Sequence, residues 1–189
     1  MEKAAGQADR ASAVVQRVGR FVHRGPASHA SLDINEIIRY IVALPMMDFV
    51  PGEKSNRVVP ELDLADRMPA VAGDRVQIEQ VLVNLIRNAT DSLSNMPPDG
   101  RRIVVKTAVV DGEVQVSVYD TGRGISDEEM AQLFTRFFTT KTEGMGLGLS
   151  ISRSIIEAHA GCLWAETNID GGATFLFTLP IFVEEVPPC

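Results

Sequence analysis

Between Asp74 and Leu93 the chain places apolar residues at helical spacing: Ile78, Val81, Leu82, Leu85, Ile86, Ala89 and Leu93 share one face. A stripe this continuous has to be covered by a sheet or by other helices, so the segment predicts the helix against which a core is built. Asp74, with Gln77 three residues on, marks its start as a capping box. Gln77, Asn84, Asn88 and Asp91 fall together on another face. Asparagine is a mediocre helix former, and two of them four residues apart leave two readings. Either the face is merely solvated, or the amides serve something outside the helix.

The 189 residues, 45% hydrophobic and 23% charged, are enough for one full core and an appendage. No apolar run approaches the roughly 18 residues of a membrane span, and no signal peptide opens the chain. Cys162 and Cys189 fit no metal spacing and no disulfide framework, so a reducing cytoplasm is expected. The net charge of −7 argues against a general nucleic-acid binder, which carries a basic footprint.

Residues 3–24 predict a helix with a heptad seam at Ala4, Ala8, Ala11, Val15, Val18 and Val22, widened by Val14 and Phe21. Arg10, Arg17, Arg20 and Arg24 lie on its other side, as a solvated face or a docking surface for an acidic partner. Gly25-Pro26 ends it. Such a seam calls for helical partners that the rest of the chain does not obviously supply.

A second unit begins near Ser31. Asp33 and Glu36 form a capping-box start for a helix over Ile34, Ile37, Ile38 and Ile41, stopped by Pro45. Residues 46–72 read as loop with a short strand around Arg57–Leu64, and Asn95–Gly100 as a second loop. Ile103–Val110 and Val114–Asp120 predict strands joined at Asp111-Gly112, a strong hairpin signal. Ser126 with Glu129 opens a short helix through Leu133. Three glycines at 144, 146 and 148 lead into a helix running to about Ala160. A last hairpin, Leu163–Thr167 and Thr174–Leu179, turns around Asp170-Gly171-Gly172.

Two features point to chemistry. Alternation puts Asp120 on the apolar face of its strand with Val114, Val116 and Val118. A carboxylate buried there needs a partner, because desolvation without one costs several kcal/mol. It either caps the strand end and faces water, or it meets a ligand donor such as the exocyclic amine of a purine. The glycine run can turn backbone N–H groups toward an anion at a helix N-terminus. It is neither a Walker loop nor a Rossmann fingerprint, since no GxxxxGK[ST] is present and no strand immediately precedes it.

In order and wording, residues 74–179 resemble the ATP-binding catalytic domain of sensor histidine kinases, of the Bergerat-fold family that also includes gyrase. The N box resembles Asn84-Leu-Ile-Arg-Asn88-Ala; the first glycine box, Asp120-Thr-Gly-Arg-Gly124; the F box, Phe134–Phe138. The second glycine box resembles Gly144-Met-Gly-Leu-Gly148, and the last Gly171-Gly-Ala-Thr174. The run from Phe137-Phe-Thr-Thr-Lys141 through the glycines to Glu157-Ala-His159 is most similar to the FixL-like, PAS-linked kinases. Arg123 stands where the family often has proline. Residues 3–24 are similar to the second helix of that family's dimerisation and phosphotransfer hairpin.

The resemblance implies a set of roles. Asp120 would take the adenine amine, with Gly122 and Gly124 letting the backbone approach the base. Asn88 would offer its amide oxygen to Mg²⁺, with Asn84 and Asp91 beside the phosphates or metal-bound water. Lys141 and the amides of Gly144, Met145, Gly146, Leu147 and Gly148 would hold the triphosphate, making Asn84 and Lys141 the catalytic pair. Ile125, Phe138, Thr139, Thr140 and Leu149 would line the nucleotide, and Thr174 would support the base pocket. Phe134, Phe137 and Phe138 are read as lid anchors, with Phe134 and Phe137 equally open to being plain core.

The expected fold is an α/β two-layer sandwich, a mixed, mostly antiparallel sheet of about five strands under three helices, preceded by one bundle helix. Residues 1–26 would be half of the hairpin, 27–183 the ATP-binding domain, and 184–189 a tail. The implied function is that of a protein-histidine kinase using ATP and Mg²⁺, its partners a response-regulator receiver domain, the phosphoacceptor helix and a second copy. That acceptor histidine belongs to a His-Glu or His-Asp motif, which none of His23, His29 and His159 provides. The chain is therefore expected to be a fragment, inactive alone. Alternatives are another Bergerat-fold ATPase or serine kinase, or a nucleotide-binding scaffold without catalysis. The first would carry glutamate at position 84, where a carboxylate can act as base; an amide cannot.

Overall fold

The computed structural model describes residues 30–44, 58–141 and 144–183. The expected helix at 3–24, with its arginines and the His23 and His29 positions, lies outside the described residues, as does the tail at 184–189.

The helix predicted from the apolar stripe forms as α2, Arg75–Ser92, and its seven stripe residues are all buried. It packs against the strands β4 (Ile103–Val110) and β5 (Glu113–Asp120), and between the helices α1 (Ile34–Ala43) and α4 (Gly148–Ala158). The five-stranded sheet runs in the order β2 (Glu61–Asp63), β4, β5, β7 (Ala173–Pro180), β6 (Leu163–Thr167). Only the β2–β4 pair is parallel; the other pairs are antiparallel, as expected for a mixed sheet. Strict alternation along β5 buries Val114, Val116, Val118 and Asp120 against the helices. The β4–β5 turn at Asp111-Gly112 has both residues at positive φ, 50° and 83°, the mirror-image turn that matches strand twist.

Several expectations change. The expected sheet of about five strands forms, but among the described residues two further strands, β1 (Ala30–Leu32) and β3 (Val71–Gly73), make a separate antiparallel pair that the sequence pattern does not anticipate. Both are three residues long, too short for alternation to mark them. The strand near residues 57–64 narrows to Glu61–Asp63, an exposed edge held by the ion pairs Arg102–Glu61 and Lys106–Asp63. The last helix stops at Ala158, and Ala160 turns to φ 57° just beyond it. The short helix α3, Asp127–Gln132, opens with the full Ser126–Glu129 capping box.

The other two boxes are only half formed. Asp33 accepts from the amides of Asn35 and Glu36, while Glu36 reaches out to Arg75 instead of back. Asp74 accepts from Val76 and Gln77, but its own N–H goes to His159 Nε2 at 3.0 Å. His159 Nδ1 lies 2.7 Å from the Ile155 carbonyl, which fixes the proton on Nδ1 and leaves Nε2 to accept. A buried histidine thus ties the start of α2 to the end of α4.

One polar ring interrupts the core. Asn35 donates to the Ala65 carbonyl at 2.8 Å, the Thr107 hydroxyl donates to Asn35 Oδ1 at 2.9 Å, and the Ala65 amide donates to Thr107 Oγ1 at 3.0 Å. Thr107 faces inward on β4 and ties α1 and the stretch after β2 to the sheet. Thr107→Val keeps the shape but orphans the Ala65 N–H and Asn35 Oδ1. Each stranded group costs about 1–3 kcal/mol, so the urea midpoint should fall clearly with an unchanged slope. An unaltered midpoint would show that the ring contributes nothing.

Candidate functional site

Burying one side of α2 leaves its polar side at the edge of the layer. Asn84, Asn88, Asp91 and Ser92 are all half-buried there. Between residues 84 and 92 the helix rises about 12 Å, the scale of an extended nucleoside triphosphate. Each position along that strip meets a different piece of the chain.

At the Ser92 end stands Asp120, the last residue of β5, 2% exposed. Of the two readings left open for it, the one in which it faces water at the strand end therefore fails. Its Oδ1 accepts from Ser92 Oγ and from the Gly122 amide, each at 2.8 Å, and the Ala173 amide also bonds the carboxylate. Burial pushes its carboxyl above the ordinary range, and those three donors partly offset the shift. Among the described residues no charged side chain pairs with it, so the carboxyl is desolvated without a counter-ion there.

Glycine is required beside it. A Cβ at Gly122 would collide with the Ser92 hydroxyl, and one at Gly172, which has φ 84°, would run into the Asp120 carbonyl oxygen. Gly124 is also at positive φ and packs beside Gly172. Asn168 donates to that same Asp120 carbonyl at 3.0 Å, and Thr174 Oγ1 donates to Asn168 Oδ1 at 2.6 Å. Thr174 therefore reaches the strand end through Asn168, a residue that no motif marks. The Ile125 carbonyl takes the Thr167 hydroxyl, while its side chain packs on the core.

One turn back along α2, Lys141 Nζ donates to Asn88 Oδ1 at 3.0 Å and pairs with Asp91 Oδ2 at 2.6 Å. The ammonium thus engages the amide oxygen expected to face a metal ion. At the far end Asn84 Nδ2 donates to Ser152 Oγ at 3.0 Å, and its Oδ1 closes against Gly148, where a Cβ would collide. Gly148 begins α4, whose N-cap Leu147 provides no side-chain cap. Unpaired N–H groups in that first turn suit an anion.

The segment between α3 and α4 folds over this strip. Gly146, at φ 64°, accepts the Phe137 amide on its carbonyl at 2.9 Å, and any side chain there would strike the backbone of Phe137 and Phe138. Phe137 itself sits at φ 68° and is 74% exposed, so it is not core; Phe134 is half-buried against the core with Arg153 over its ring. Phe138, Gly144, Met145, Leu147 and Leu149 are half-buried, and Leu149 packs on the core. Thr139 Oγ1 accepts the Lys141 amide, and Thr140 Oγ1 accepts from Arg123, whose guanidinium also pairs with Glu129. Arg123, the departure from the proline often found in the resembled family, links the turn after β5 to this segment.

Asn84, Asn88, Asp91, Asp120, Lys141 and Gly148 are thus brought to one strip with Ser92 and Asn168, while Ile125 and Leu149 pack on the core, Phe137 faces solvent and Thr140 meets Arg123. Ser92 continues the i, i+4 series of Asn84 and Asn88, and that series is the signal that marks it.

A family profile described as histidine kinase-, DNA gyrase B- and HSP90-like ATPase matches residues 73–182. The chain is 44% identical over 182 residues to the sensor protein FixL of Bradyrhizobium diazoefficiens, covering 95% of this chain and 35% of that one. Among solved structures, the catalytic domain of histidine kinase ThkA superposes with a TM-score of 0.69 at 32% identity, covering 81% of this chain and 95% of that one. ThkA in complex with the response regulator protein TrrA superposes with a TM-score of 0.72 at 27% identity, covering 94% of this chain and 49% of that one. The chain thus spans about a third of the length of the curated relative, and the α/β sandwich is that of the histidine kinase catalytic domains. With the profile spanning the central helix, the buried aspartate and the glycine segment alike, the chain belongs to the family of histidine kinase-, DNA gyrase B- and HSP90-like ATPases.

Proposed function

We propose that this chain is the ATP-binding catalytic portion of a two-component sensor histidine kinase. The observation that carries the reading is Asp120: a carboxylate 2% exposed, without a counter-ion, at the end of a polar strip of nucleotide length. Such a group is suited to a neutral donor amine, and adenine offers one. The base then lies against Gly122 and Gly124, and the triphosphate runs along α2 toward Asn84 and the first turn of α4.

The donors at Asn88 and Asp91 fit a hard cation. Both are oxygens, and in this structure a lysine ammonium already sits on them. Among the described residues no group of three His, Cys, Asp or Glu could hold a metal alone, so phosphate oxygens would complete the ligand set. Mg²⁺, when bound, supplies charge neutralisation to the triphosphate. Were Asn88 and Asp91 to hold that ion, Lys141 would be free to meet phosphate.

Asn84 separates the kinase reading from a hydrolase. Its amide is held by Ser152 and has no basic function with which to deprotonate water or a hydroxyl. A histidine imidazole, neutral near pH 7, needs no such base. Transfer therefore rests on positioning and electrostatics. The sequence contains no His-Glu or His-Asp pair, so the acceptor is taken to be a histidine in a helical hairpin outside these 189 residues. A receiver domain of a response regulator is the inferred next partner, a reading supported by the likeness to ThkA bound to TrrA. No helix among the described residues is long and apolar enough to cross a membrane, and a cytoplasmic location fits the ATP requirement.

Calorimetric titration with an ATP analogue tests the assignment. Asp120→Asn removes a charge-assisted acceptor worth about 1.5–3 kcal/mol, so affinity should fall roughly ten- to a hundredfold or more in a folded protein. Wild-type affinity would overturn the site. Asn88→Ala should abolish the strengthening of triphosphate binding by Mg²⁺ while barely altering metal-free ADP binding; an unchanged Mg²⁺ response would make Asn88 structural only. Without nucleotide, Lys141→Met should loosen the segment after Phe137. Exposed pairs of this kind contribute about 0.2–1 kcal/mol, so amide exchange there should speed up by a few-fold at most. Exchange rates equal to wild type would show that the pair does not order the segment.

A further inference from the structure

We infer that Ser92 is a positioning residue for nucleotide recognition, its hydroxyl fixing the plane of the Asp120 carboxylate so that the remaining lone pairs meet a donor amine. The inference rests on the adenine reading of Asp120 and adds the residue that prepares it.

The Ser92 hydroxyl has two acceptors within reach. Ser92 Oγ lies 2.8 Å from Asp120 Oδ1 and 2.7 Å from the Ala89 carbonyl of its own helix. Leu93 N–H, which would close the next helical bond onto Ala89, instead reaches Thr90 and Asp91, so Ala89 is left to the hydroxyl. Gly122 donates to the same Oδ1, and a Cβ at Gly122 would displace the serine. Two donors on Oδ1 thus determine how the carboxylate turns.

A hydroxyl has one proton and two acceptors within reach, so it senses the charge of its neighbour. Beside a carboxylate it donates to Oδ1. Beside the protonated acid it accepts from Asp120 and turns its own proton to Ala89. The bond to the charged form is the stronger of the two, so Ser92 favours ionisation and opposes the effect of burial. The groups facing Asp120 are Ser92 from α2, Gly122 from the following turn and Ala173 from β7, and no charged side chain contributes.

The sign follows. An amine donor needs the carboxylate, so binding is present above the Asp120 pKa and is lost as pH falls through it. Removing Ser92's donor raises that pKa further, and binding should fail at higher pH than in wild type.

The test uses the full 189-residue chain with Ser92→Ala and Ser92→Cys, the latter a weak donor. Two quantities are measured between pH 4 and 8, on the scale of ordinary carboxyl titration and above it. One is affinity for an ATP analogue; the other is the Asp120 carboxyl titration followed by carbon NMR without nucleotide. Ser92→Ala is expected to bind several-fold more weakly at neutral pH, with both midpoints moved upward and Ser92→Cys between. A folded Ser92→Ala protein with wild-type affinity and midpoints would overturn the inference. So would weaker binding with an unmoved carboxyl midpoint, since a purely structural role leaves titration alone. If wild type binds no adenine nucleotide while the carboxyl midpoint still moves, the adenine reading fails, and with it the recognition role assigned to Ser92. Ser92 then only tunes the charge of Asp120.

Discussion

Burial of the α2 stripe against the sheet is the constraint from which the site follows. With 3.6 residues per turn, seating Ile78, Val81, Leu82, Leu85, Ile86, Ala89 and Leu93 in the core leaves no freedom to rotate the helix. Asn84, Asn88 and Ser92 must then stand in a row at the layer's edge. The register of β5 is fixed in the same way, because a slip of one residue would turn Val114, Val116 and Val118 to solvent. Apolar burial thus sets both halves of the Ser92–Asp120 contact, and polar chemistry only exploits the placement. A cavity in this core would be felt at the site as displacement as well as lost stability.

Long elements were legible because their signals are periodic and summed over many residues. The α2 stripe, the β4–β5 hairpin and the full capping box at Ser126 all reappear where their patterns place them. What stayed hidden was short or depended on partners far along the chain. β1 and β3 pair across about forty residues, and three-residue strands carry no usable alternation. The Asp74 cap differs from its box because His159, 85 residues away, takes the amide the box would have used. Gln77 is therefore a box residue by sequence only. Asn168 escaped for the related reason that it holds Asp120 and belongs to no motif, whereas Ser92 had only its i, i+4 place after Asn88 to mark it.

The segment after α3 shows how electrostatics replaces packing where little apolar surface is available. Between Thr139 and Gly144 the described contacts are polar: Arg123 to Thr140 on one side, Lys141 to Asn88 and Asp91 on the other. Contacts of this kind between partly exposed groups are individually weak and screened by salt. On the proposed reading a triphosphate with its cation would compete for Lys141, Asn88 and Asp91, and exchanging one charge set for another would need no large core rearrangement. Phe137 makes the opposite choice, presenting a large aromatic to solvent from a backbone conformation that bulky residues seldom adopt. Its amide bond to Gly146, and the impossibility of a side chain at Gly146, keep it there.

The two ends of the strip are built on opposite electrostatic principles. At Asp120 a buried carboxyl, pushed above the ordinary range by desolvation, is held by neutral donors, which would make recognition there sensitive to whether its charge is present. At Asn84 the side chain is a neutral amide tied to Ser152, able to orient a phosphate or a water but unable to take a proton. A carboxylate at position 84 would add negative charge beside the terminal phosphate and would supply a base able to activate water. The amide does neither, so on the proposed reading the reactive end would rely on an acceptor that brings its own lone pair. The strip would then discriminate at the base and abstain at the phosphate. The nucleophile would be selected by what is docked there, and not by a proton acceptor of the strip itself.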